Sequence, residues 1–427
     1  MTWPELVKGM ADLLPPQSGR HLAARAGLVA PLGRAGYSYV ETPALELTDL
    51  FARGVGETTD VVSKEMFTFD DRGGRSVTLR PEGTAAVVRA ALAGSLHRGA
   101  LPVKLWYSGP MFRYEQPQAG RQRQFWQVGA EALGSEDPAL DAETVALADQ
   151  GFRALGLTRT ELLLNSLGDP ADRAAYSALL RDWLTERVGG LDAETDRRIA
   201  RNPLRVLDDK RPEVRERTAA APLLAGSLSA AAQAHHDAVR AHLTDLGVAF
   251  TDDPRLVRGL DYYRRTTFEF VHPLLGAQST IGAGGRYDGL SESIGGPPLP
   301  GIGWATGVER TLLALVAEGV EDVAGTAVAV FGVPLGTAAK AHMLTLVATL
   351  RERGIAADMA WDDRGLKGAM KAADRSGATL AVVLGERDLA AGVAQVKDLA
   401  SGEQDAVGLD GLADVLVRRC SPMEVSP

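Results

Sequence analysis

The chain has 427 residues, 45% of them hydrophobic and 24% charged, with a formal net charge of −9, and this composition is typical of a globular protein of roughly two or three domains. No apolar run approaches the ~18–20 residues of a membrane span, the first residues lack a signal-peptide pattern, and the single cysteine, Cys420, excludes an internal disulfide and a thiolate zinc site. We therefore expect a cytoplasmic protein without membrane association, and the net acidity argues only mildly against nucleic-acid binding because a binding face needs only a local basic patch.

The first predicted elements are a helix and an edge strand. Apolar residues recur at helical spacing from Ser18 to Arg34, and Gly36 ends the helix. The run from Gly36 to Pro43 then predicts a strand, whose terminal proline forbids further ladder pairing. From the residues alone, a subunit interface and a plain edge strand are about equally favoured here.

Residues 64–80 predict a β-hairpin that leads into a helix. The connection reads Arg80-Pro81-Glu82-Gly83-Thr84, and we expect Thr84 to cap the Ala-rich helix that follows. Glu82 lies at the strand-to-helix junction, where a carboxylate can face a site and receive backbone donors. The alternative is an ordinary acidic residue at a helix start.

A second hairpin is predicted for residues 105–131, with two aromatic-rich arms around a polar loop. If the arms fold back about Gly120, Arg113 lies opposite Gln127 and Glu115 lies opposite Phe125. Side chains alternate between the faces of a strand, so one surface then carries groups suited to a purine, a phosphate and a small zwitterion. These groups are Arg113, Glu115, Phe125, Gln127 and Glu131. A solvated sheet face is the alternative interpretation.

The middle of the chain changes to amphipathic helices between about Asp169 and Thr251, which indicates a helical insertion into a β-rich core. Three histidines in this region lack carboxylates at metal-ligand spacing, and we expect them at the surface: His235, His236 and His242. Strands are expected to resume at Leu256 and to continue to Phe270.

The last part of the chain predicts a close-approach strand and a separate domain. The glycines of residues 282–289 lack the Lys-Ser/Thr of a phosphate loop, so a P-loop interpretation is poor. Small residues in 301–307 permit the close approach of a flat ligand or of another backbone, and Arg310 lies at the start of the next helix. From about Thr326, strands alternate with helices, which predicts a small α/β domain.

These segments, in this order, resemble the class II aminoacyl-tRNA synthetases and, among them, the histidyl-tRNA synthetase family. Three segments resemble the class motifs: Gly36–Pro43, the 105–131 hairpin and Gly301–Arg310. Three tighter segments resemble the histidine-specific motifs: Leu79–Thr84, Arg258–Tyr263 and Gly284–Gly289. Two departures occur in loops: Gly9-Met10-Ala11-Asp12 stands where the family usually has Gly-Thr-x-Asp, and Gln116 stands where a basic residue is frequent.

The resemblance implies an α+β catalytic core, an antiparallel sheet flanked by helices, at residues 1–325. A helical insertion would occupy about 170–253, and an anticodon-binding α/β domain would occupy 326–427. The implied activity is the ATP-dependent ligation of L-histidine to tRNA(His) by a homodimer. Magnesium would arrive with ATP, and no tightly bound cofactor or resident metal site is implied.

Site residues follow from the same resemblance. The catalytic arginines would be Arg258, Arg113 and Arg310. Histidine would be bound by Glu82, Thr84, Arg113, Gln127, Glu131, Arg258, Tyr262 and Tyr263, with Glu131 and Tyr263 on the ring nitrogens. ATP would be bound by Arg113, Glu115, Phe125 and Arg310, with the Phe125 ring stacked on adenine. The acceptor end of tRNA would meet Gln118, Arg121 and Arg123.

Other interpretations remain open at this point. The strongest is the non-catalytic, synthetase-like regulatory subunit of ATP phosphoribosyltransferase, which typically lacks the anticodon-binding domain and the arginine at the position of Arg258. A different class II synthetase or amide ligase would share the core, but Tyr262 and Tyr263 argue against it. A pure RNA-binding protein would not need the set of arginines on a sheet surface.

Overall fold

The structure is a computed structural model that describes residues 5–56, 59, 61–207, 209, 211–257, 260, 262–320 and 328–420. The chain divides into two compact units, Met1–Val323 and Ala324–Pro427. The described helices of the first unit are α1 Gln17–Arg34, α2 Thr48–Val55, α3 Thr84–Ala93, α4 Pro138–Ala154, α5 Pro170–Arg187, α6 Ala193–Arg201, α7 Leu204–Leu207, α8 Pro212–Arg217, α9 Ala230–Asp245, α10 Leu290–Ser293 and α11 Val308–Ala317. Its described strands are β1 Ser38–Tyr39, β2 Leu45–Leu47, β3 Phe67–Asp70, β4 Ser76–Leu79, β5 Val103–Phe112, β6 Gln124–Leu133, β7 Glu161–Ser166, β8 Thr251–Asp252, β9 Arg264–Val271, β10 Thr280–Arg286 and β11 Gly301–Gly307.

A large sheet forms the centre of the first unit. Its described strands run in the order β1-β5-β6-β11-β10-β9-β7-β8, and a smaller sheet runs in the order β2-β4-β3. Neighbouring strands of the large sheet are antiparallel, apart from the parallel pairs β1 with β5 and β7 with β8. Helices α1, α4, α9 and α11 bury their apolar residues against one face. The expected antiparallel core flanked by helices is confirmed.

The opposite face of the large sheet is covered only in part, by apolar residues of α3 and α5. Because side chains alternate along β6, Phe125, Gln127 and Glu131 point to this second face, while Val128 and Ala130 pack with α4. The sheet therefore presents to this face the residues that the hairpin pattern had placed on one surface.

The register of the β5–β6 hairpin differs from the expected one. Gln127 lies opposite Gly109 and Phe125 opposite Met111, so the prediction that Arg113 opposes Gln127 is wrong. The arms do not fold back symmetrically about Gly120, because Gln118 and Arg121 form a separate bridge within the loop. Phe125, Gln127 and Glu131 keep their face on β6, since the shift covers an even number of residues, whereas Arg113 and Glu115 lie beyond the end of β5.

Other local expectations also need correction. The edge strand at 36–43 has only two residues, Ser38–Tyr39, and the strand expected from Leu256 begins at Arg264. Thr84 does not cap α3, because it is the first helical residue. The longer side chain of Glu82 performs the capping instead, since its carboxylate accepts hydrogen bonds from the backbone N–H groups of Thr84 and Ala85 at 2.7 and 2.9 Å.

The expectation that His235 lies at the surface is wrong. His235 is 8% exposed and lies on α9, one helical turn before Val239 and two turns before Leu243. This spacing of four residues places all three side chains on the face of α9 that packs on the core. The last helix of the region expected to be an insertion thus contributes to the core of the first unit.

The second unit is a small α/β fold. Its described strands run in the order β13-β12-β14-β15-β16 (β12 Val330–Pro334, β13 Ala357–Met359, β14 Leu380–Leu384, β15 Val393–Asp398, β16 Gln404–Gly408), and the first three are parallel. The helices are α12 Thr337–Glu352, α13 Leu366–Ser376, α14 Glu386–Ala391 and α15 Leu412–Cys420. Buried residues of α12 and α15 pack with one face of the sheet and those of α13 with the other. Among the described residues, no helix has both the length and the apolar character needed to cross a bilayer.

Candidate active site

A cavity of about 320 Å³ opens on the second face of the large sheet. Its floor is formed by small residues of β10 and β11, among them Ala283, Ala305 and Gly307. On β6, Gln127 pairs with Gly307 and Glu131 pairs with Gly303. These two positions are roughly 14 Å apart, at the rise of about 3.4 Å per residue of a strand. The site therefore extends along β6 from Phe125 past Gln127 toward Glu131, and its two ends carry different chemistry.

Positive charges gather at the end of the cavity next to Phe125, which we call the arginine end: Arg113, Arg121 and Arg310. Arg310, in the first turn of α11, donates from Nη1 to the carbonyl of Thr280 at 2.6 Å and from Nε to the carbonyl of Gly120 at 3.2 Å. Burial lowers the pKa of Arg310, and the nearby charges of Arg121 and Arg113 lower it further. Guanidinium groups held this close together favour an anionic ligand.

Arg113 follows the last residue of β5 and is held in place from two sides. Its Nε donates to the carbonyl of Pro81 at 2.9 Å, and its guanidinium lies 5.3 Å from the centroid of the Phe125 ring. Glu115 forms an ion pair with Arg121, at 3.0 Å between Glu115 Oε2 and Arg121 Nη1, and its Oε1 lies 4.0 Å from Arg113 Nη1. The loop between β5 and β6 thus places Arg113 against the Phe125 ring and Glu115 between Arg113 and Arg121.

Carboxylates and hydroxyls occupy the other end of the cavity, which we call the carboxylate end. Glu131 is fully buried, and its carboxylate accepts hydrogen bonds from Thr84 Oγ1 at 2.7 Å and from the hydroxyl of Tyr287. Tyr107 and Tyr263 line the cavity here. Burial raises the pKa of Tyr107, and the charges of Glu131 and Glu82 and the proximity of Tyr263 raise it further, so these groups form one electrostatic cluster.

The ionisation of this cluster is strongly perturbed by burial. Burial raises the pKa of Glu131 to about 8, against the opposing effect of the hydrogen bonds from Tyr287 and Thr84. Burial also raises the pKa of Glu82, although the backbone donors of Ala85 and Thr84 favour its ionised form. Perturbed carboxylates in a cavity are characteristic of functional sites.

Gln127 lies between the two ends. It is buried and lines the cavity, and its amide oxygen Oε1 has no hydrogen-bond partner among the described residues. A buried acceptor without a partner costs free energy, which a ligand that donates a hydrogen bond can recover. This position therefore suits an ammonium group or another donor of a bound molecule.

Comparison with known proteins places this chain in a family. A family model described as histidyl-tRNA synthetase matches residues 9–311, and one described as an anticodon binding domain matches residues 329–419. The chain belongs to the histidyl-tRNA synthetase family. It is 58% identical over 413 residues to the histidine–tRNA ligase of Streptomyces coelicolor, with 96% of this chain and 97% of that protein covered. It is 60% identical over 403 residues to the corresponding ligase of Saccharopolyspora erythraea, with 94% and 96% covered.

A solved histidyl-tRNA synthetase shares the fold. The crystal structure of the apo enzyme from S. aureus is 36% identical, with a TM-score of 0.80 and coverage of 97% of this chain and 100% of that one. The regulatory-subunit alternative predicted a chain without an anticodon-binding domain, and the match at residues 329–419 contradicts that alternative.

The family resemblance implied a set of site residues, and some of these line the cavity while others do not. Most of them line it: Glu82, Thr84, Arg113, Glu115, Arg121, Phe125, Gln127, Tyr262, Tyr263 and Arg310. Glu131 lies beneath the lining, behind Thr84. Gln118 and Arg123 lie in the loop away from the lining, where the guanidinium of Arg123 packs 3.7 Å from the ring centroid of Tyr114. Arg258 lies outside the described residues.

Several residues in and around the cavity were not predicted from the sequence. They are Tyr107, Glu269, Thr280, Tyr287 and Glu309, of which all but Tyr287 line the cavity. The sequence did contain a signal for Tyr107, because residues two apart on a strand share a face, and Tyr107 therefore lies on the same face of β5 as Leu105 and Gly109. Glu269 and Thr280 had none, since they meet only through the pairing of β9 with β10, where Thr280 Oγ1 donates to Glu269 Oε2 at 2.9 Å.

Gly303 on β11 leaves the space that the buried carboxylate of Glu131 occupies. A Cβ atom at Gly303 would lie 1.7 Å from Glu131 Oε2 and 2.6 Å from the carbonyl of Ala130. We expect Gly303→Ala to lower the free energy of unfolding by about 1–3 kcal/mol, as overpacking of a core does. The midpoint of thermal unfolding measures this effect.

Gly307 on the same strand is the matched control. Its Cβ would meet no atom within 4 Å, and its φ of −82° suits any residue. Gly307→Ala should therefore leave the unfolding midpoint unchanged or raise it slightly. Equal midpoints for the two variants would contradict the close packing of Glu131 against β11.

Proposed function

We propose that this protein activates L-histidine with ATP, forming histidyl-adenylate and pyrophosphate, and then transfers histidine to the 3′ end of tRNA(His). The observation that carries the proposal is the elongated cavity, with guanidinium groups at one end and buried carboxylates and hydroxyls at the other, over a floor of Gly and Ala. One end suits the phosphates of a nucleotide and the other a small polar amino acid.

In the first step, an oxygen of the histidine carboxylate attacks the α-phosphorus of ATP, and the bond from that phosphorus to the β-bridging oxygen breaks. The carboxylate is already ionised, so no general base is required. The barrier arises largely from bringing two anions together, and phosphoryl transfer is catalysed mainly by positioning and electrostatic stabilisation. In the second step, the terminal ribose hydroxyl attacks the activated carbonyl carbon, and AMP leaves as the ester forms.

The arginine end is proposed to bind ATP. Phe125 offers its ring to adenine, and Glu115 offers a carboxylate to the adenine amino group. Arg113 would hold the α-phosphate and Arg310 the β- and γ-phosphates, because arginine remains charged and presents a planar fork of donors. Arg258 is proposed to contact the α-phosphate and the histidine carboxylate. Magnesium would enter bound to ATP, and Glu269, which lines the cavity and acts electrostatically on Arg310, would offer a carboxylate, the type of hard ligand that magnesium takes.

The carboxylate end is proposed to select histidine. Glu82, Thr84 and Gln127 would take the α-ammonium group, Glu131 and Tyr263 the two ring nitrogens, and Tyr262 the wall beside them. After accepting one hydrogen bond, each oxygen of Glu131 retains capacity for another. A site with such buried polar groups rejects an apolar isostere by as much as ~10⁴–10⁵, because the groups would be left unpaired.

Binding of tRNA would use both units. Gln118, Arg121 and Arg123 lie on the loop between β5 and β6, where they can meet the acceptor end, and the domain matched at residues 329–419 would bind the anticodon. A homodimer is proposed through Tyr39 at the edge of the large sheet and through Leu45 and Leu47 on β2, an edge strand of the small sheet, because these large apolar residues remain exposed. The cytoplasm is the proposed location, where a lone cysteine stays reduced.

The test is histidine-dependent exchange of labelled pyrophosphate into ATP, followed by charging of tRNA(His). We expect exchange with histidine alone among the amino acids, and formation of histidyl-tRNA when tRNA(His) is added. Absence of histidine-dependent exchange in the folded protein would overturn the proposal. Exchange without charging would confine the protein to the first step.

A further inference from the structure

Helix α11 carries a glutamate near each end, and each glutamate clamps the backbone of another element. Near the N-terminus, Glu309 accepts hydrogen bonds from the backbone N–H of Trp126 at 3.0 and 3.1 Å to its two carboxylate oxygens. Just beyond the C-terminus, Glu318 accepts from the backbone N–H groups of Thr158 and Arg159 at 2.9–3.1 Å and from His272 Nε2. Glu309 lines the cavity and Glu318 does not.

The hydrogen bond from the Trp126 backbone N–H to Glu309 takes the place of a strand pairing between β6 and β11. The pairing of β6 with β11 ends at Gln127 and Gly307, so Trp126 lies one residue beyond it. A buried N–H without an acceptor costs free energy, and the carboxylate of Glu309 supplies the acceptor that β11 lacks at this point. The strand that carries Phe125 and Gln127 is thereby tied to the helix that carries Arg310.

Helix α1 supports this clamp from the opposite face of the sheet. His21 is 2% exposed, its Nε2 lies 3.5 Å from Glu309 Oε1, and its ring meets the Trp126 ring edge-on at 5.7 Å between centroids. The guanidinium of Arg25 lies 4.3 Å from the Trp126 centroid, and the indole Nε1 donates to Ser108 Oγ at 2.8 Å. These contacts restrict Trp126 from several sides, so its backbone N–H holds a fixed direction toward Glu309.

We infer that Glu309 is a positioning residue, which sets the separation between Phe125 on β6 and Arg310 on α11. The inference rests on the proposed function, in which these two side chains hold opposite ends of one ATP molecule. A misplacement of about 1 Å can cost a reaction roughly 10²-fold in rate, so a clamp between the two binding elements has a kinetic consequence. Glu309 acts through Trp126 and Arg310 in this role, not by contact with the substrate.

A direct role for the negative charge is the competing explanation, since Glu309 lines the cavity. Glutamine at this position distinguishes the positioning role from the direct role, because its carbonyl oxygen still accepts a hydrogen bond from the Trp126 N–H while the charge is lost. The positioning role therefore predicts that Glu309→Gln retains most of the wild-type kcat, whereas Glu309→Ala does not. A direct role predicts that both variants lose activity to the same extent.

The experiment measures histidine-dependent pyrophosphate exchange by the full chain carrying Glu309→Ala, Glu309→Gln or Glu318→Ala. For Glu309→Ala we expect the KM for ATP to rise and kcat to fall, together by about 10- to 100-fold in kcat/KM for ATP. The KM for histidine should change less, because Glu82, Thr84 and Tyr263 lie on other elements, and Gln127 and Glu131 on β6 are still held by the pairing with β11. Glu318→Ala should lower the unfolding midpoint without changing either KM.

The outcomes distinguish this inference from the proposed function. If the wild-type protein shows no histidine-dependent exchange, the proposed function fails. If the wild type is active and Glu309→Ala has the kinetic constants of the wild type, only the inference fails. Equal losses in Glu309→Gln and Glu309→Ala, or an ATP KM raised equally by Glu318→Ala, would also overturn it.

Discussion

Replacement of Arg113 by alanine should reduce the rate of histidine-dependent pyrophosphate exchange by at least ~10²-fold, the scale on which removal of a key charge stabiliser acts. Arg113 reaches toward both Glu82 and Phe125, because its Nε is fixed on Pro81, one residue before Glu82, and its guanidinium lies 5.3 Å from the Phe125 centroid. The proposed attack joins a carboxylate to the α-phosphate between these points. Loss of the charge leaves two anions with less compensation as they approach.

Lysine at the same position tests geometry as well as charge. Arg113→Lys keeps one positive charge, but an ammonium group cannot reproduce the planar fork that bonds the Pro81 carbonyl and a phosphate together. We expect Arg113→Lys to remain well below the wild-type rate. Arg123→Ala is the matched control, since Arg123 lies in the same loop but packs on Tyr114 outside the cavity. Wild-type exchange by Arg113→Lys, or equal losses in Arg113→Ala and Arg123→Ala, would contradict the assignment.

The surface that holds these residues was predictable from alternation alone. The period of two in a strand assigns Phe125, Gln127 and Glu131 to one face whatever the register, and an even shift leaves that assignment intact. The register itself was not predictable, because it depends on the loop. There Gly120 adopts a φ of +70° against α11, and the bridge between Gln118 and Arg121 sets the fold-back point.

How deeply each side chain lies within the site could not be predicted from the sequence either. Alternation puts Glu131 on the site face, but only the pairing of β6 with β11 and the placement of Tyr287 show that its carboxylate lies beneath Thr84. Glu309 was missed for a similar reason. An acidic residue in the first turn of a helix is ordinary, and its bond to Trp126 spans 183 positions of the chain.

Substitution of Glu131 by glutamine should make the stability of the ligand-free protein less dependent on pH and should weaken histidine binding. The folded-state pKa of Glu131, raised by burial to about 8, lies above the ordinary value of 4.5, so the ligand-free folded protein keeps a proton that the unfolded chain releases. The stability associated with this proton is fully present below pH 4.5 and is lost as the pH rises through about 8. The loss amounts to at most about 1.4 kcal/mol per pH unit. Glutamine is isosteric with the protonated acid and does not titrate.

The unfolding midpoint of the ligand-free Glu131→Gln variant should therefore fall less than that of the wild type between pH 5 and pH 9. Glu136→Gln, a change at an exposed glutamate shortly after β6, should follow the wild-type pH dependence. Parallel pH profiles for Glu131→Gln and the wild type would show that Glu131 is ionised in the ligand-free protein.

The same substitution should weaken histidine binding, because the ring N–H of the ligand loses a charged acceptor. Hydrogen bonds to a charged partner contribute about 1.5–3 kcal/mol, so calorimetry should show a dissociation constant for histidine raised by roughly 10- to 100-fold. Since an ionised acceptor is needed only when histidine is present, binding to the wild type near pH 7 should also release a proton from Glu131, detectable as a dependence of the binding enthalpy on the buffer. Glu131→Gln should lose that dependence, while Glu136→Gln should keep it. Unchanged histidine affinity in Glu131→Gln would remove this carboxylate from ring recognition and leave the selection of the imidazole to Tyr263 and the residues around it.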